Sequence, residues 1–352
     1  AVQGELPLAL FDPAIKLAAD TEWHVQLAAR GFRLNKWLEI ARQSESLVTD
    51  SSGSADLRID LLGTTPDKIA VTNLDITALT LAQPADDPIV IDRLEGGLQW
   101  RRTVAGWTAE GKVLGLQRGS REWPESTFEL EYAADKDSQQ TFAVKTSFMR
   151  AEDLLPIAQV LAPEALEKAG FRGSVTGDFR DLDVALERTG EQLQSFSIQG
   201  EFARLGYVLA EQGIDIEGLS GRLDADDKSG TLNLDVRDAR VGLEKLFTGK
   251  LTVESLQASA SWRAEAEGYR LLAEDIQLVT PDGKGNAALE LTLDQNLANP
   301  KMDLRADVSL NTVNAVPGYL PKVIPAQVLE WLASGLRGEN AAKASFVLDG
   351  PL

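Results

Sequence analysis

Short stretches of alternating apolar and polar residues run through most of the chain. Leu57, Ile59 and Leu61 form one such stretch, and this alternation is typical of a β-strand with one buried face. A phase shift between Ile76 and Leu79 interrupts a similar stretch. Segments rich in Asp and Gly, such as 224–230, separate the stretches and favour chain reversal. The pattern predicts about twenty strands joined as antiparallel hairpins.

Three segments depart from the alternation and predict short helices. They lie at residues 35–43, 152–168 and 325–336, each after a strand, and the third begins with Pro325, which a first helical turn accepts. The recurrence of strand, helix and new strand predicts a repeat architecture. The predicted segments are 1–50, the end of one β-groove unit with a short helix; 51–170, a β-groove unit ending in helix 152–168; 171–338, a second unit ending in helix 325–336; and 339–352, the start of the next unit.

A shortage of helices decides the expected shape of the sheet. About three short helices cannot cover about twenty strands, yet every strand carries an apolar face that must be kept from water. Open sheets rarely exceed about ten strands without curling. The fold predicted is therefore mostly β, a long curved antiparallel sheet forming an elongated apolar groove of taco-like units. A closed β-sandwich core would produce the same alternation and stays open as an alternative.

Composition excludes several classes of function. The 352 residues include no cysteine and one histidine, which excludes thiolate metal sites and Cys/His nucleophile pairs. The formal net charge is −19, and without a Lys/Arg cluster it argues against nucleic-acid binding. No apolar run reaches the roughly 18 residues of a membrane span. Because the chain opens at Ala1 and stops inside a strand pattern, we expect it to be a piece of a longer protein.

Candidate catalytic groups have simpler explanations. His24 takes the polar phase of a strand and is expected to face solvent. The acidic groups Asp86 with Asp87, Glu265 with Glu267, and Asp224 with Asp226 and Asp227 fit turns better than a calcium loop or an acid/base pair. Residues 283–285, Gly-Lys-Gly, are too short for a phosphate loop and predict a hairpin. We predict no catalytic residue, metal or cofactor.

Two C-terminal motifs carry a family resemblance. The pattern Leu-Pro-x-x-x-Pro-x-x-x-x-x-Trp-Leu runs from Leu320 to Leu332, and Phe346 to Leu352 reads Phe-Val-Leu-Asp-Gly-Pro-Leu. Both resemble the central region of the YhdP family, within the wider AsmA-like group, which is related to TamB and to chorein-type proteins. The resemblance implies a non-catalytic segment of a bridge-like lipid transfer protein built from repeating β-groove units.

The same resemblance implies a place and partners. Phospholipids would move through the periplasm of a Gram-negative envelope between the inner and outer membranes, with acyl chains in the groove and head groups in water. The partners implied are phospholipid acyl chains, the rest of a longer chain, and both membranes through regions outside this segment. An N-terminal anchor in the inner membrane is expected in the full-length protein.

Lining residues are predicted from the clearest alternating strands. The sixteen candidates are Leu57, Ile59, Leu61, Leu74, Ile76, Leu182, Val184, Leu186, Leu232, Leu234, Val236, Leu289, Leu291, Leu293, Leu304 and Val308. The predicted groove-closing helix positions are Trp37, Leu329, Trp331 and Leu332.

Two other functions compete with lipid transfer. The first is a structural or assembly β-repeat scaffold in the periplasm with a closed, dry core. The second is a carbohydrate-active β-fold enzyme, which would need two carboxylates converging in a cleft.

Overall fold

The structure, a computed structural model, divides the chain into two compact units. Unit 1 consists of Ala1–Phe171 with Arg180–Phe196, and unit 2 of Arg172–Phe179 with Ser197–Leu352. The residues that the structure describes are 2–5, 22–33, 53–65, 68–81, 89–135, 139–155, 173–190, 192–245, 249–266, 268–294, 301–319, 322, 327 and 341–351. The unit boundaries drawn from the sequence repeat stay a prediction.

Strands make up 84% of the described residues, so the predicted mostly-β class is confirmed. Their bounds are β1 (Val2–Glu5), β2 (Trp23–Arg33), β3 (Gly53–Thr65), β4 (Lys68–Leu81), β5 (Ile89–Arg102), β6 (Gly106–Arg118), β7 (Arg121–Glu122), β8 (Ser126–Ala134), β9 (Gln139–Arg150), β10 (Ser174–Thr189), β11 (Gln192–Leu209), β12 (Ile214–Asp226), β13 (Ser229–Leu243), β14 (Leu251–Glu265), β15 (Gly268–Thr280), β16 (Gly283–Asp294), β17 (Lys301–Leu310) and β18 (Ala342–Pro351).

Both units are antiparallel meanders. In unit 1 each strand from β1 to β6 pairs with the next, β6 then pairs with both β7 and β8, and β8 pairs with β9. In unit 2 the pairing runs in chain order from β11 to β18. The antiparallel arrangement predicted from the hairpin turns is therefore confirmed within each unit.

The prediction of about three helices is wrong for the described residues, in which residues 151–155 form one α-helical segment, called α1, and Gln327 is the one further α-helical residue. A 3₁₀ helix, Val313–Tyr319, follows β17. Pro317 and Gly318 explain the short 3₁₀ form, because proline lacks a backbone donor and glycine disfavours helix continuation. Residues 35–43, nearly all of the predicted helices 152–168 and 325–336, and the positions Trp37, Leu329, Trp331 and Leu332 lie outside the described residues.

Bulges bend the strands of unit 2. Gly177, Arg204, Gly218 and Asp238 lie on four successive strands, and all four have positive φ, from 52° at Arg204 to 121° at Gly177. The β11–β12 and β12–β13 registers shift beside them. A bulge bends its strand and increases the twist. A row of bulges across adjacent strands therefore curves the unit 2 sheet.

Candidate functional site

One face of the unit 1 sheet is apolar from strand to strand. Leu61 lies opposite Val71, and Val71 lies opposite Leu98. Since directly opposed residues share a face of the sheet, the register carries this face across the unit. The unit 1 apolar face includes Val25, Leu27, Ile59, Leu61, Ile69, Val71, Leu74, Ile76, Leu79, Ile91, Leu94, Leu98, Trp100, Trp107, Ala109, Val113, Leu116, Phe128, Leu130, Tyr132, Phe142, Val144 and Phe148.

Strand β10 continues this face. It pairs with β9, and Asp183 makes a 3.1 Å ion pair with Lys145 of β9. Lys145 lies opposite Glu129 on the polar face, so its partner Asp183 lies on the polar face as well. The neighbours of Asp183, Leu182 and Val184, therefore belong to the apolar face, and so does Leu186 by alternation.

Unit 2 has an equivalent face of its own. Leu223 lies opposite Leu232, and Leu232 opposite Ala260. The unit 2 apolar face includes Ile198, Phe202, Leu205, Tyr207, Ile214, Ile216, Leu219, Leu223, Leu232, Leu234, Val236, Val241, Leu251, Val253, Leu256, Ala258, Ala260, Trp262, Tyr269, Leu271, Ala273, Ile276, Leu278, Ala287, Leu289, Leu291, Leu293, Met302, Leu304, Ala306, Val308, Leu310, Ala344, Phe346 and Leu348.

The sixteen predicted lining residues fall on these two faces. Leu57, Ile59, Leu61, Leu74, Ile76, Leu182, Val184 and Leu186 belong to unit 1, with Leu57 placed by its backbone register opposite Ile76. Leu232, Leu234, Val236, Leu289, Leu291, Leu293, Leu304 and Val308 belong to unit 2. Their role as a lipid lining stays a prediction.

The same residue types are more exposed on the opposite, polar faces. Leu62 is 42% exposed, Leu193 55% and Val347 68%, whereas Leu234 and Leu304 on the unit 2 apolar face are half-buried. In the described part of the chain, the most extensive contacts between strands run between sheet neighbours. Neighbouring apolar side chains on one face therefore shield one another laterally.

One end of the unit 1 apolar face is closed by a compact cluster. This covered end consists of Ile91, Leu116, Trp123 and Phe148, all buried, with Leu154 of α1 packed against them. The rings of Trp123 and Phe148 meet edge to face, with centroids 5.3 Å apart. Edge-to-face contact places the positive edge of one ring on the negative face of the other, which favours close packing.

A buried carboxylate ties α1 to this covered end. Asp153 is 1% exposed. Its Oδ2 accepts a 2.9 Å hydrogen bond from the indole N–H of Trp123, and its Oδ1 lies 3.3 Å from Arg118 and 3.0 Å from Arg121. A buried carboxylate is tolerated when charged donors surround it. These contacts hold α1 over the sheet.

The other end of the unit 1 apolar face is lined by aromatic residues. This open end consists of Trp100, Trp107, Tyr132 and Phe142, at the ends of β5, β6, β8 and β9 that short connections join. Trp107 lies opposite Tyr132, and Tyr132 opposite Phe142. The rings of Trp107 and Tyr132 have centroids 6.1 Å apart. Phe142 is 38% exposed, so the open end is accessible from solvent.

Unit 2 also has a covered end and an aromatic end. Leu310 is buried against Tyr319 and Phe346. The Tyr319 hydroxyl donates a hydrogen bond to Oδ2 of Asp282 at 2.9 Å. Its oxygen also lies 2.9 Å from Oγ1 of Thr280, within hydrogen-bond distance. Burial raises the pKa of Tyr319 above its ordinary value, and the bond to Asp282 raises it further, while the contact with Thr280 opposes the shift.

The aromatic end of unit 2 lies at the hairpin between β14 and β15. Trp262 and Tyr269 belong to the apolar face there. The ring of Trp262 lies over Gly230, where any side chain would overlap it. An aromatic ring packed on a cross-strand glycine covers backbone that would otherwise be exposed.

A concavity on the polar face of unit 1 gathers charged side chains. It has a volume of about 240 Å³ and is lined by Glu110, Glu129 and Glu131 with Lys68 and Arg101. All three carboxylates are exposed. The expectation that the chain has no catalytic residue stays a prediction.

The remaining candidate groups among the described residues behave as structural elements, whereas Asp86, Asp87 and Glu267 lie outside the described residues. His24 is exposed on β2, as predicted. The backbone N–H groups of Lys228 and Ser229 bond to Asp226 at 2.8 and 2.7 Å and hold its pKa below the ordinary value, which identifies a turn. Residues 283–285 begin β16 at a hairpin with β15, as predicted. Among the described residues, no cluster of three or more His, Asp or Glu could hold a metal ion.

Sequence reasoning missed the two ends of the unit 1 apolar face. Trp100 and Trp107 lie far from Tyr132 and Phe142 in the sequence, and only the strand register brings the four side chains together. A usable signal was present at the Ala105-Gly106 turn, which has a tryptophan on either side. Asp153 gave no comparable signal, because its partners lie 30 or more residues away.

No helix among the described residues is long and apolar enough to cross a membrane. No curated protein and no solved structure matches the chain. The family model described as YhdP protein matches residues 2–352. The match covers both units and includes the C-terminal motifs that carried the resemblance, so the chain belongs to the YhdP family.

Proposed function

We propose that this chain is a non-catalytic segment of a bridge-like lipid transfer protein, and that phospholipid acyl chains lie on the apolar faces of its two units. The observation that carries the proposal is the apolar face in each unit, which the register continues from strand to strand. Extended accessible apolar surface marks a binding site in soluble proteins. Membership of the YhdP family supports the same function.

Burial of acyl chains supplies the affinity. Each methylene group removed from water contributes about 0.8 kcal/mol. Since the lining between the aromatic ends is mainly aliphatic, neighbouring positions there bind a chain about equally well. A lipid then meets no deep minimum along the face, and sliding requires little activation. Such a path needs no catalytic residue, metal or cofactor.

The setting proposed is the periplasm. A lipid path of this kind would connect the inner and outer membranes through further parts of a longer protein, and the polar faces would stay in water. The strands alternate residue by residue between acyl-contacting and solvated positions, which suits a protein that carries apolar cargo through an aqueous compartment.

Native mass spectrometry with lipid extraction tests the proposal on the intact 352-residue chain. Co-purified phospholipid is expected, and Leu234→Asp or Leu271→Asp on the unit 2 apolar face should remove most of it. Val347→Asp is the matched control, because Val347 lies on the polar face of the same unit and is 68% exposed. Circular dichroism checks that each variant keeps its β fold.

Two results would reject lipid transfer. A folded, lipid-free protein that also fails to take up added phospholipid would favour the scaffold alternative with a closed, dry core. Equal lipid content in the apolar-face variants and the Val347→Asp control would show that lipid binds elsewhere.

A further inference from the structure

The unit 2 apolar face is not equally accessible along its strands. Val236 and Ala239 of β13 and Val253 of β14 are 0%, 1% and 4% exposed, and neighbouring leucine and valine side chains pack against them. Leu310 of β17 is also buried and packs against Val308. We call Val236, Ala239, Val253 and Leu310 the dry zone. The register links its two parts, because the row that contains Val236 continues through β14, β15 and β16 to Val308.

Two rows of residues cross the other half of this face. Directly opposed residues share a face of the sheet and lie one strand spacing apart, so the register from β12 to β17 defines each row. Apart from the buried Ala273, the members of the first row are half-buried. The first row consists of Leu223, Leu232, Ala260, Ala273, Leu289 and Leu304.

The second row lies two residues further along each strand, on the side away from the dry zone. At the usual rise per residue the two rows are about 7 Å apart. The four long side chains of the second row are half-buried, and its two small residues are buried. The second row consists of Ala225, Gly230, Trp262, Leu271, Leu291 and Met302.

The space between the two rows, which we call the furrow, runs across six strands. Five strand spacings give it a length of about 24 Å. On β13, the dry zone begins at Val236 and the strand itself begins at Ser229. The accessible part of that strand therefore extends only from Leu234 to Gly230, a length of about 13 Å.

These dimensions decide how an acyl chain fits. A chain in one leaflet of a bilayer extends about 15 Å, half of the hydrocarbon core. It is longer than the accessible part of β13 but shorter than the furrow. An acyl chain on this half of the face is therefore covered along its whole length only when it lies across the strands.

The dry zone offers no comparable gain in burial. Its side chains already contact one another and are removed from water. A chain entering there would have to separate closely packed groups, and it would replace existing contacts rather than bury new apolar surface. The half-buried rows still expose part of their apolar surface, so they gain burial when a chain covers them.

We propose that phospholipid acyl chains on unit 2 occupy the furrow and lie across the strands, whereas the dry zone stays free of lipid and stabilises the curved sheet. Leu232, Leu291 and Leu304 then contact the acyl chains. Val236 and Val308, which the sequence also predicted as lining residues, do not. This placement rests on the proposed function and narrows it to one path on the unit 2 apolar face.

Photo-crosslinking maps the path on the native chain. The 352-residue protein is loaded with phosphatidylglycerol that carries a diazirine on one acyl chain, either near the ester group or at the terminal methyl. Mass spectrometry after irradiation and digestion locates the adducts. They are expected on the two rows, and on no residue of the dry zone. Both probes should label the same rows, because a chain lying across the strands keeps all its carbons at one level along them.

Three results would contradict the proposal in different ways. Adducts on Val236, Ala239 or Val253 overturn the exclusion of lipid from the dry zone. Probes that label different levels of one strand show that chains lie along the strands. Adducts confined to unit 1 overturn the furrow but leave lipid binding standing. The absence of any adduct with either probe contradicts lipid binding itself, and so the proposed function.

Paired truncations test the furrow by lipid retention. The double variant Leu232→Ala, Leu291→Ala should weaken phosphatidylglycerol retention about tenfold, because it removes several carbons of contact surface. Val236→Ala is the matched control, on the same strand and face as Leu232. It should lower the urea midpoint by leaving a cavity in the dry zone, while retention per folded molecule stays unchanged. Equal losses of retention in the double variant and the control, or none in either, reject the furrow.

Discussion

The two ends of the unit 1 apolar face use tryptophan in opposite ways. At the covered end, Trp123 is buried and its indole N–H is bonded to Asp153. At the open end, Trp107 is half-buried and lies beside Tyr132 and opposite Arg102. The same residue type therefore forms part of a dry core in one place and of an accessible aromatic edge in the other. The two tryptophans differ in that the indole N–H of Trp123 has a hydrogen-bond partner within the protein, whereas that of Trp107 has none among the described residues.

This contrast shows how one sheet can hold both a folded core and an accessible apolar surface. The buried cluster around Trp123 stabilises the sheet locally. Unit 2 has the same division, since the contacts of Tyr319 and Leu310 close one end while Trp262 and Tyr269 mark a short hairpin. Substitutions at the covered ends should therefore alter stability without altering the accessible apolar surface.

Removal of the Asp153 carboxylate should give the largest loss of stability. Asp153→Ala leaves the indole N–H of Trp123 and the guanidinium of Arg118 without their buried acceptor, and breaking such a buried network costs about 3 kcal/mol. Urea unfolding monitored by circular dichroism measures the change. Asp183→Ala is the control, because its ion pair with Lys145 is largely exposed and should contribute little to stability. Similar losses in both variants would show that α1 does not depend on Asp153.

Parallel tryptophan substitutions test the contrast itself. Trp123→Phe removes a buried hydrogen bond and leaves a cavity beside Phe148, and should lower the free energy of unfolding by about 2 kcal/mol. Trp107→Phe, at an accessible position with no partner for its N–H in the described residues, should lower it by less than about 0.5 kcal/mol. The same unfolding assay compares them, and a loss at Trp107 as large as that at Trp123 would mean that the open end is also a packed core.

Period-two alternation was sufficient to predict which residues share a face. Leu232, Leu234 and Val236 reach the same side because alternation is a local property of an extended chain, independent of partners. The phase shift seen between Ile76 and Leu79 corresponds to Ala78, whose φ is 54°, so even this irregularity was visible in the sequence. The face assignment therefore needed no knowledge of the strand order.

The two ends of each face depend on contacts that local pattern does not contain. Trp123 and Asp153 are 30 residues apart, and Tyr319 and Thr280 are 39 apart. Only the pairing of the strands brings them together, and single residues of this kind have no periodicity to reveal them. The predicted helices 35–43, 152–168 and 325–336 lie almost entirely outside the described residues, where the number of helices predicted was wrong.

The contact of Tyr319 with the covered end of unit 2 should give a smaller effect. Tyr319→Phe keeps the ring against Leu310 but removes the hydrogen bonds to Asp282 and Thr280, and should lower the free energy of unfolding by about 1 kcal/mol. Thermal unfolding near neutral pH measures this loss. Tyr269→Phe is the control, because the hydroxyl of Tyr269 has no hydrogen-bond partner among the described residues.

The pH dependence of that loss separates a hydrogen-bond effect from a packing effect. Because burial raises the pKa of Tyr319 in the folded chain above its ordinary value of about 10, the folded state holds the phenol proton more tightly than the unfolded state does. The stabilisation is therefore fully present below pH about 10 and decreases as the pH rises through the folded pKa. The stability difference between the native chain and Tyr319→Phe should shrink in that range. A difference that stays constant from pH about 8 to 11 would show that the hydroxyl contacts contribute nothing and that the ring alone closes this end of the face.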